Sequence, residues 1–427
     1  MKGSELFKFN SIKNAQIMVG VDIAKHKHCA VLITNTNQII TKPFFFNNTI
    51  EGFKILQNEL KKQEKGDITK ANILIGMEPT GHYWKPLANF LQDNGYKVVM
   101  VNPAHTKKTK ELDDNSQTKN DKKDCLVIAR LVKDARFNQV YIPNQIYSEL
   151  RVLTNTRHEL IKKTSSIKNR ITAILDEYFP EYEQVFKKIF NSISSLRILK
   201  TIPMPEEIIE TSIEDIIKIM RDGSNRGQGK KRAEKLKECA EKSVGVKHGL
   251  ISTKIQLAMY IKDYELLISQ IETIEEEMKK NLKKTEYGEK LLKIKGIGTV
   301  YASEFLGEIG DLKRFKNSEQ IRRYAGLNLV ENSSGDHKGK TTISKRGRAT
   351  LRSLLYKMAL TMVAKNEELK EIHKNYKTRR NNPLKKKQAV VAVINKMLAI
   401  IFAVAVKGKE YDKSRIIPMN IEMEQAA

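Results

Sequence analysis

Five short runs rich in β-branched and aromatic residues lie close together between Gln16 and Val101. Short apolar runs bounded by polar or turn residues are typical of β-strands. Between them lie an amphipathic segment from Ile50 to Leu60 and a helical pattern, HYWKPLANFLQDN, that ends at Gly95. The resulting order, βββαβαβ, predicts an α/β domain that opens with an antiparallel meander. The runs are QIMVGVDIA, HCAVLIT, QIITKPFFF, NILIGME and YKVVMV.

The chain then becomes polar and afterwards helical. A polar stretch from Ala104 to Asn120 leads to DKKDCLVIARLVKDA, whose apolar residues recur at helical spacing. From Ile146 to about Leu292 the pattern is helical and charged, and the Gly- and Lys-rich segment from Asp222 to Arg232 predicts an exposed linker. Apolar residues three or four apart favour either a coiled-coil seam or an amphipathic helix on the core of one chain. They are Ile261, Tyr264, Ile268, Ile271, Ile274 and Met278.

The last third begins with KIKGIGTVYASEFLGEIG, which predicts a glycine turn between two helices. We therefore predict three parts. The first, residues 1–140, is an α/β domain, and the second, residues 141–290, is a helical connector with an insert near 196–250. The third, residues 291–427, is a mostly α-helical domain.

Charge indicates the partner of this chain. Its 77 Lys and Arg against 50 Asp and Glu give a net charge of +27, spread over the whole length, which favours nucleic acid over a membrane surface. The longest apolar run, Val390 to Val406, is interrupted by Asn395 and Lys396 and is shorter than the ~20 residues that span a bilayer. We expect a buried core helix there. Three separated cysteines and an N-terminus unlike a signal peptide favour a reducing cytoplasm.

Four acids mark the candidate chemistry. Asp22 and Glu78 end two of the strand-like runs, whereas Asp121 and Asp124 are three apart and share one face of the following helix. Clustered carboxylates repel one another unless cations bind, and hard oxygen ligands suit Mg²⁺ or Mn²⁺. Two such ions promote displacement at phosphorus. Each acid alone is better explained as a turn residue, a helix N-cap or a helix-dipole partner, but their joint placement on βββαβαβ is that of ribonuclease H-like nucleases and integrases.

The quoted motifs resemble the insertion sequence 110 family of transposases, which is related to Piv-type DNA invertases and the MooV group. VGVDIAK, GMEPTGHYWKPLANFL, VNPAHTKK and TKNDKKDCLVIARL resemble the family's N-terminal DEDD domain, which has a RuvC-like, ribonuclease H-like fold. The segment from KIKGIG to NSSG, together with ISKRGRATLR, resembles the C-terminal transposase domain. The likeness spans nearly the whole chain.

The resemblance implies that Asp22, Glu78, Asp121 and Asp124 bind Mg²⁺. It also implies that the serine of the Ser-Gly motif, Ser334, is the nucleophile that forms a phosphoserine link to DNA. Ser333 is the second choice, and from the residue pattern alone ENSSGDHKG is simply a polar loop. His337, a lone loop histidine, is better explained as solvated. Lys345, Arg346 and Arg348 are candidates for neutralising the phosphate.

Other residues are expected at nucleic-acid backbone. The glycines of KGIG, Gly296 and Gly298, let backbone N–H groups approach a phosphate. The basic segment from Tyr376 to Lys387, with Arg379 and Arg380, is expected to contact backbone as well. The resemblance implies donor and target DNA as substrates, a bridge RNA as guide, assembly as dimers to tetramers through the helical middle, and a bacterial cytoplasmic location at the nucleoid.

Two other functions compatible with these residues stay open. One is a RuvC-like nuclease that hydrolyses branched DNA with the four carboxylates and no serine. The other is a non-catalytic nucleic-acid-binding relative of a transposase. Replacement of Ser334 and of the acids distinguishes the recombinase, the nuclease and the non-catalytic protein, because each needs a different set of these residues.

Overall fold

The computed structural model describes residues 3–79, 81–113, 121–143, 145–221, 229–331, 333–334, 337–338 and 341–411. The chain divides into two compact units, Met1–Ile142 and Pro143–Ala427. The second unit contains both the helical middle and the C-terminal part. The division into three parts given above therefore stays a prediction.

A mixed sheet of six strands forms the centre of the first unit, in the order β3-β2-β1-β4-β5-β6. Its strands and helices are α1 Gly3–Lys13, β1 Ile17–Asp22, β2 Lys27–Thr34, β3 Phe44–Asn47, α2 Ile50–Lys61, β4 Ile73–Met77, α3 Trp84–Asp93, β5 Lys97–Val101, α4 Pro103–Asp113, α5 Asp121–Lys133 and β6 Phe137–Gln139. Strands β1, β2 and β3 pair antiparallel, whereas β4 runs parallel to both β1 and β5. The predicted α/β order with its opening meander is confirmed from β1 to β5, whereas β6 was not predicted.

The third strand is shorter than the sequence predicted. The run QIITKPFFF was expected to be one strand, but β3 covers only Phe44–Asn47, and Ile39 forms an isolated bridge with Ile33. Pro43 separates the two pieces. Proline has no N–H to donate to a strand ladder, so a regular strand does not continue through it.

Helix α5 packs closely on one face of the sheet at two glycines. A Cβ atom at Gly20 would lie 1.9 Å from the carbonyl oxygen of Cys125, and one at Gly76 would lie 2.1 Å from Cγ2 of Val132. Glycine is required at Gly20, where the helix backbone approaches this closely, and at Gly76 it leaves room for the Val132 side chain. Because of these contacts α5 lies directly against β1 and β4. The opposite face of the sheet is covered by α2 and α3, whose Leu56 and Leu87 are buried.

The middle of the chain is helical. Its helices are α6 Gln145–Tyr178, α7 Tyr182–Val185, α8 Ile193–Thr201, α9 Pro205–Glu210, α10 Ile213–Arg221, α11 Gly229–Glu241 and α12 Leu250–Lys283. The 34-residue helices α6 and α12 pack along each other. Ile261 and Tyr264 of the predicted seam share a buried cluster with Ile171 and Leu175 of α6. For these residues the interpretation as an amphipathic helix on the core of the same chain is confirmed.

The predicted linker from Asp222 to Arg232 is wrong at its C-terminal end, because α11 begins at Gly229. Residues 222–228 lie outside the described residues. Ala233, Leu236 and Ala240 are buried at helical spacing on α11. Burial of this apolar face stabilises the helix, which extends upstream into the Lys-rich segment.

The C-terminal part is also mostly helical, and its buried apolar cluster includes Tyr147 and Leu150 of α6 and Leu282 of α12. Its elements are α13 Gly288–Leu292, α14 Thr299–Ile309, α15 Ser318–Tyr324, β7 Leu329–Val330, β8 Ser333–Ser334, β9 His337–Lys338, β10 Thr342–Ile343, α16 Ala349–Lys365, α17 Glu367–Thr378 and α18 Lys386–Ala405. In the described part of the chain, α18 alone is long and apolar enough to cross a membrane. Val393, Met397 and Ile401 of α18 are fully buried in this core. The predicted buried core helix is therefore confirmed.

Candidate active site and nucleic-acid interface

Asp22 and Glu78 lie side by side at the carboxyl ends of two neighbouring parallel strands, β1 and β4. In the β1–β4 register Val21 pairs with Met77, so each acid comes one residue after a partner of that pair. Gly20 and Gly76, two residues earlier, face α5. Side chains alternate along an extended chain, so both acids are placed on the α5 side of the same sheet edge. The structure thus brings these two predicted ligands to one place.

Helix α5 begins beside this edge. Cys29 pairs with Asp22 across β1 and β2, and its Sγ lies 3.6 Å from Sγ of Cys125 on α5. The hydrogen bond to Cys29 and burial raise the pKa of the Cys125 thiol, and the charges of Cys29 and Asp22 add to the shift. Asp124 is therefore adjacent to Cys125, whose pKa is affected by the charge of Asp22. Asp121 is the first residue of α5, and its side chain lies outside the described residues.

Asp124 has a cationic partner in the structure. Nζ of Lys110, on α4, lies 2.5 Å from its Oδ1. Among the described side chains, no three Asp, Glu, His or Cys come close enough together to hold a metal ion. The donor set is nonetheless all carboxylate oxygen, and an ammonium group already occupies a cation position at Asp124, so these residues fit Mg²⁺ or Mn²⁺.

The predicted nucleophile lies in the second unit, on a short hairpin. Ser334 pairs with His337 and Ser333 with Lys338 in the backbone register of β8 and β9, while the four side chains lie outside the described residues. The segment that carries the hairpin is fixed at its base. Strand β7 pairs with β10, and the guanidinium of Arg352 donates to the carbonyl oxygens of two residues at that base.

Arg348 has a buried partner that the sequence analysis did not single out. Its Nε lies 2.7 Å from Oε2 of Glu308, whose side chain is 1% exposed, and Thr350 Oγ1 donates to the same oxygen at 2.8 Å. The signal for this partner in the sequence was an acidic residue within the apolar helical pattern SEFLGEIG, because a buried acid needs a cationic partner. This pairing gives Arg348 a structural role, whereas Lys345 and Arg346 are exposed.

The KGIG turn lies at a basic cavity within the second unit. Gly296 has φ of +103°, which favours glycine, and Gly298 is the N-cap of α14 with open space around its Cα. The cavity has a volume of about 680 Å³ and includes Gly298, Lys162 and Lys357 in its lining. Glu304 in its wall is paired with Arg157 and His158. The predicted glycine turn is confirmed.

Arg379 and Arg380 lie in the connection between α17 and α18. Arg379 is the C-cap residue of α17, and its Nε donates to the carbonyl oxygen of Asn382 at 2.9 Å. Arg380 and the lysines at the start of α18 are exposed. The segment therefore presents a basic surface to solvent, in line with its predicted contact to nucleic-acid backbone.

Two family models match the chain, and together they cover more than half of its residues. A DEDD transposase model of IS110 elements matches residues 19–180. A model described as the transposase IS116/IS110/IS902 family matches residues 288–374. The chain belongs to this family of transposases.

The names of relatives of this chain agree with the two family models. The chain is 22% identical to an uncharacterised 44.8 kDa protein of insertion element IS116 from Streptomyces clavuligerus, over 92% of the chain and 95% of the relative. It is 24% identical to the pilin gene-inverting protein of Moraxella lacunata, over 92% and 97%. It is 32% identical to the transposase of insertion sequence element IS1328 from Yersinia enterocolitica, over 35% and 45%.

The two matched regions divide the candidate residues of this transposase-family chain. The first contains the four acids, and the second contains the KGIG turn, Ser334 and the basic residues from Lys345 to Arg348. Arg379 and Arg380 lie beyond both. The four acids and Ser334 therefore lie within the matched regions, whereas the interpretation of the basic segment after α17 rests on its charge and exposure.

Proposed function

We propose that this chain is a DNA recombinase of an insertion sequence that cuts and rejoins strands through a phosphoserine intermediate, with Mg²⁺ or Mn²⁺ as cofactor. The observation that carries the proposal is the position of Asp22 and Glu78. They stand at the ends of two neighbouring parallel strands, on the face where α5 begins with Asp121 and ends its first turn at Asp124. Recombination of DNA is the activity that this acid arrangement and the family likeness jointly support.

A RuvC-like, ribonuclease H-like fold for the first unit is part of the proposal. Its support is the sheet order β3-β2-β1-β4-β5, with an antiparallel meander followed by two parallel strands. In open α/β sheets, ligands bind at the carboxyl ends of the strands. The candidate acids come from that edge, which is where a phosphodiester would be expected.

The roles of the side chains follow from the chemistry of phosphoryl transfer. The four acids would hold the divalent ion, which stabilises charge on the attacking and leaving oxygens when it is bound. The hydroxyl oxygen of Ser334 attacks phosphorus and gives its proton to solvent, while the bond from phosphorus to the DNA leaving oxygen breaks. A hydroxyl of the second DNA strand then displaces the serine, so the phosphodiester is re-formed without net hydrolysis.

Backbone contacts are assigned to exposed basic residues. Lys345 and Arg346 follow the serine hairpin in the chain, and Lys162 and Lys357 line the cavity beside Gly298. Lysine and arginine contacts to phosphate position nucleic acid without reading its sequence. A guide that pairs with DNA would supply the sequence information, and for this role we propose a bridge RNA. A bacterial cytoplasmic location at the nucleoid fits such substrates.

An oligomer is part of the same proposal. Helix α12 exposes a strip of apolar side chains four residues apart, with Ile251 81% exposed, Ile255 59% and Met259 62%. Apolar side chains at this spacing lie on one helical face and gain stability when they are covered. We assign this strip to contact with further copies of the chain, as a dimer or tetramer in which acids and Ser334 of different protomers act together.

The test combines the purified full-length chain with donor and target DNA, Mg²⁺ and RNA transcribed from the DNA flanking its reading frame. We expect rejoined strands and a protein–DNA adduct that survives denaturant. Chelation of the metal should lower both products at least about a hundredfold, and omission of the RNA should abolish joining at the target. Cleaved strands without adduct would identify a nuclease instead, and binding without cleavage a non-catalytic protein.

A further inference from the structure

A lysine from a neighbouring helix contacts one of the candidate metal ligands. Nζ of Lys110, on α4, lies 2.5 Å from Oδ1 of Asp124, on α5. The side chain of Asp124 is 17% exposed and that of Lys110 is 34% exposed. The pair is therefore partly shielded from water, where the attraction between opposite charges is stronger than at an open surface.

This ion pair differs from the surface pairs of the chain that form within one helix. Lys62–Glu59 and Lys242–Glu238 each join residues of one helix or its end, and Lys242 and Glu238 are 72% and 60% exposed. Such pairs contribute little to stability. Lys110 and Asp124, in contrast, connect two separate helices. Asp124 is next to Cys125, whose Sγ lies 3.6 Å from Sγ of Cys29, the strand partner of Asp22. The location points to a function in the candidate site.

The acids of this edge need a positive charge. Carboxylates repel one another at short range, which raises the free energy of any arrangement that brings Asp22, Glu78 and Asp124 together. The ammonium group of Lys110 offsets part of this charge at Asp124. A divalent ion would offset more of it, but it would repel the ammonium group and bind to oxygen atoms of the same carboxylate.

We propose that Lys110 is the counter-ion of the candidate site before a divalent ion binds, and that it competes with this ion for Asp124. The inference rests on the proposed function, in which Asp124 is a metal ligand. Lys110 is then a positioning residue: it stabilises Asp124 in the metal-free protein and weakens the affinity for metal. Once displaced, its ammonium group can turn on a flexible stem of four carbons toward a DNA phosphate.

The experiment measures the dissociation constant for Mn²⁺ on the full-length protein, from the electron paramagnetic resonance signal of free Mn²⁺. Lys110→Met removes the charge and keeps an aliphatic side chain, whereas Lys110→Arg keeps the charge. Lys107→Met is the matched control, because exposed Lys107 lies on the same helix and its loss changes the net charge equally. We expect Lys110→Met to bind Mn²⁺ about fivefold more tightly than wild type, and the other two variants to stay within about twofold of it.

A second measurement reports on the metal-free protein. In EDTA, the unfolding temperature of Lys110→Met should be lower than that of wild type and of Lys107→Met, because Asp124 loses its partner. Addition of Mn²⁺ should remove this difference. This readout does not depend on catalytic activity, and it also shows whether the variant is folded when its metal affinity is measured.

Three outcomes would decide against the proposal. Equal Mn²⁺ affinity in Lys110→Met and Lys107→Met would show that only the overall charge matters. Weaker binding in Lys110→Met would show that the lysine holds Asp124 ready for the metal rather than competing with it. If folded wild type and Lys110→Met both bind no Mn²⁺, the metal site itself is wrong, and this part of the proposed function fails together with the inference.

Discussion

Ser334→Ala is expected to abolish the covalent protein–DNA adduct and strand joining, with a loss of about a thousandfold or more in rate. Alanine lacks the hydroxyl that attacks phosphorus, and water in its place would release free ends instead of a phosphoserine. The adduct is measured after denaturation, on labelled DNA, with Mg²⁺ present throughout.

Ser333→Ala is the matched comparison for Ser334, because the two serines are adjacent on β8 and the substitution removes the same atom. We expect it to keep the adduct within a few-fold of wild type. The base of the hairpin is held by backbone pairing and by Arg352, so neither substitution should unfold it. An adduct that persists in Ser334→Ala, or that disappears only in Ser333→Ala, would refute the assignment of the nucleophile.

Asp22→Asn is expected to reduce Mg²⁺-dependent strand cleavage by about a thousandfold, because an amide keeps the shape of the side chain and removes the charge that holds the cation. DNA binding should change little, since the substitution removes no basic side chain. Cleavage is measured under single-turnover conditions on labelled DNA, across a series of Mg²⁺ concentrations.

Asp134→Asn is the control for charge. Asp134 follows the opposite end of α5 from Asp124, and its side chain is 50% exposed beside Lys133. The control should retain cleavage within about twofold, as surface substitutions usually do. Cleavage by Asp22→Asn at the wild-type rate would mean that this acid does not hold the metal, and the proposed mechanism would fail at its first residue.

The order of strands and helices from β1 to β5 along the chain and the positions of Asp22 and Glu78 could be predicted, because both depend on the local sequence pattern. Apolar runs specify strands, and an acid directly after such a run lies at its end. Helix α4, in contrast, lies in a stretch that the sequence presents as merely polar. Among the side chains described on α4, only Thr106 is buried, so the helix has almost no periodic pattern of apolar residues from which it could be predicted. Its contacts with α5 stabilise it instead.

Two features of the candidate site depend on tertiary contacts. Lys110 is one of several lysines on α4, and the pattern does not single out the one that contacts Asp124. The pairing of Arg348 with Glu308 joins residues forty positions apart, so the local sequence pattern does not reveal it. The packing of α6 against α12 also depends on tertiary contacts, because heptad-like spacing does not tell whether the partner helix belongs to the same chain.

The most direct test is a crystal structure of the full-length protein soaked in Mn²⁺, with the ion located by its anomalous scattering. We expect a peak at the carboxyl edge of β1 and β4, with oxygen atoms of Asp22, Glu78 and Asp124 at about 2.0–2.2 Å from it, and Asp121 beside them. A peak elsewhere, with the carboxylates of Asp22, Glu78 and Asp124 still separated, would contradict the claim that these acids form the metal site.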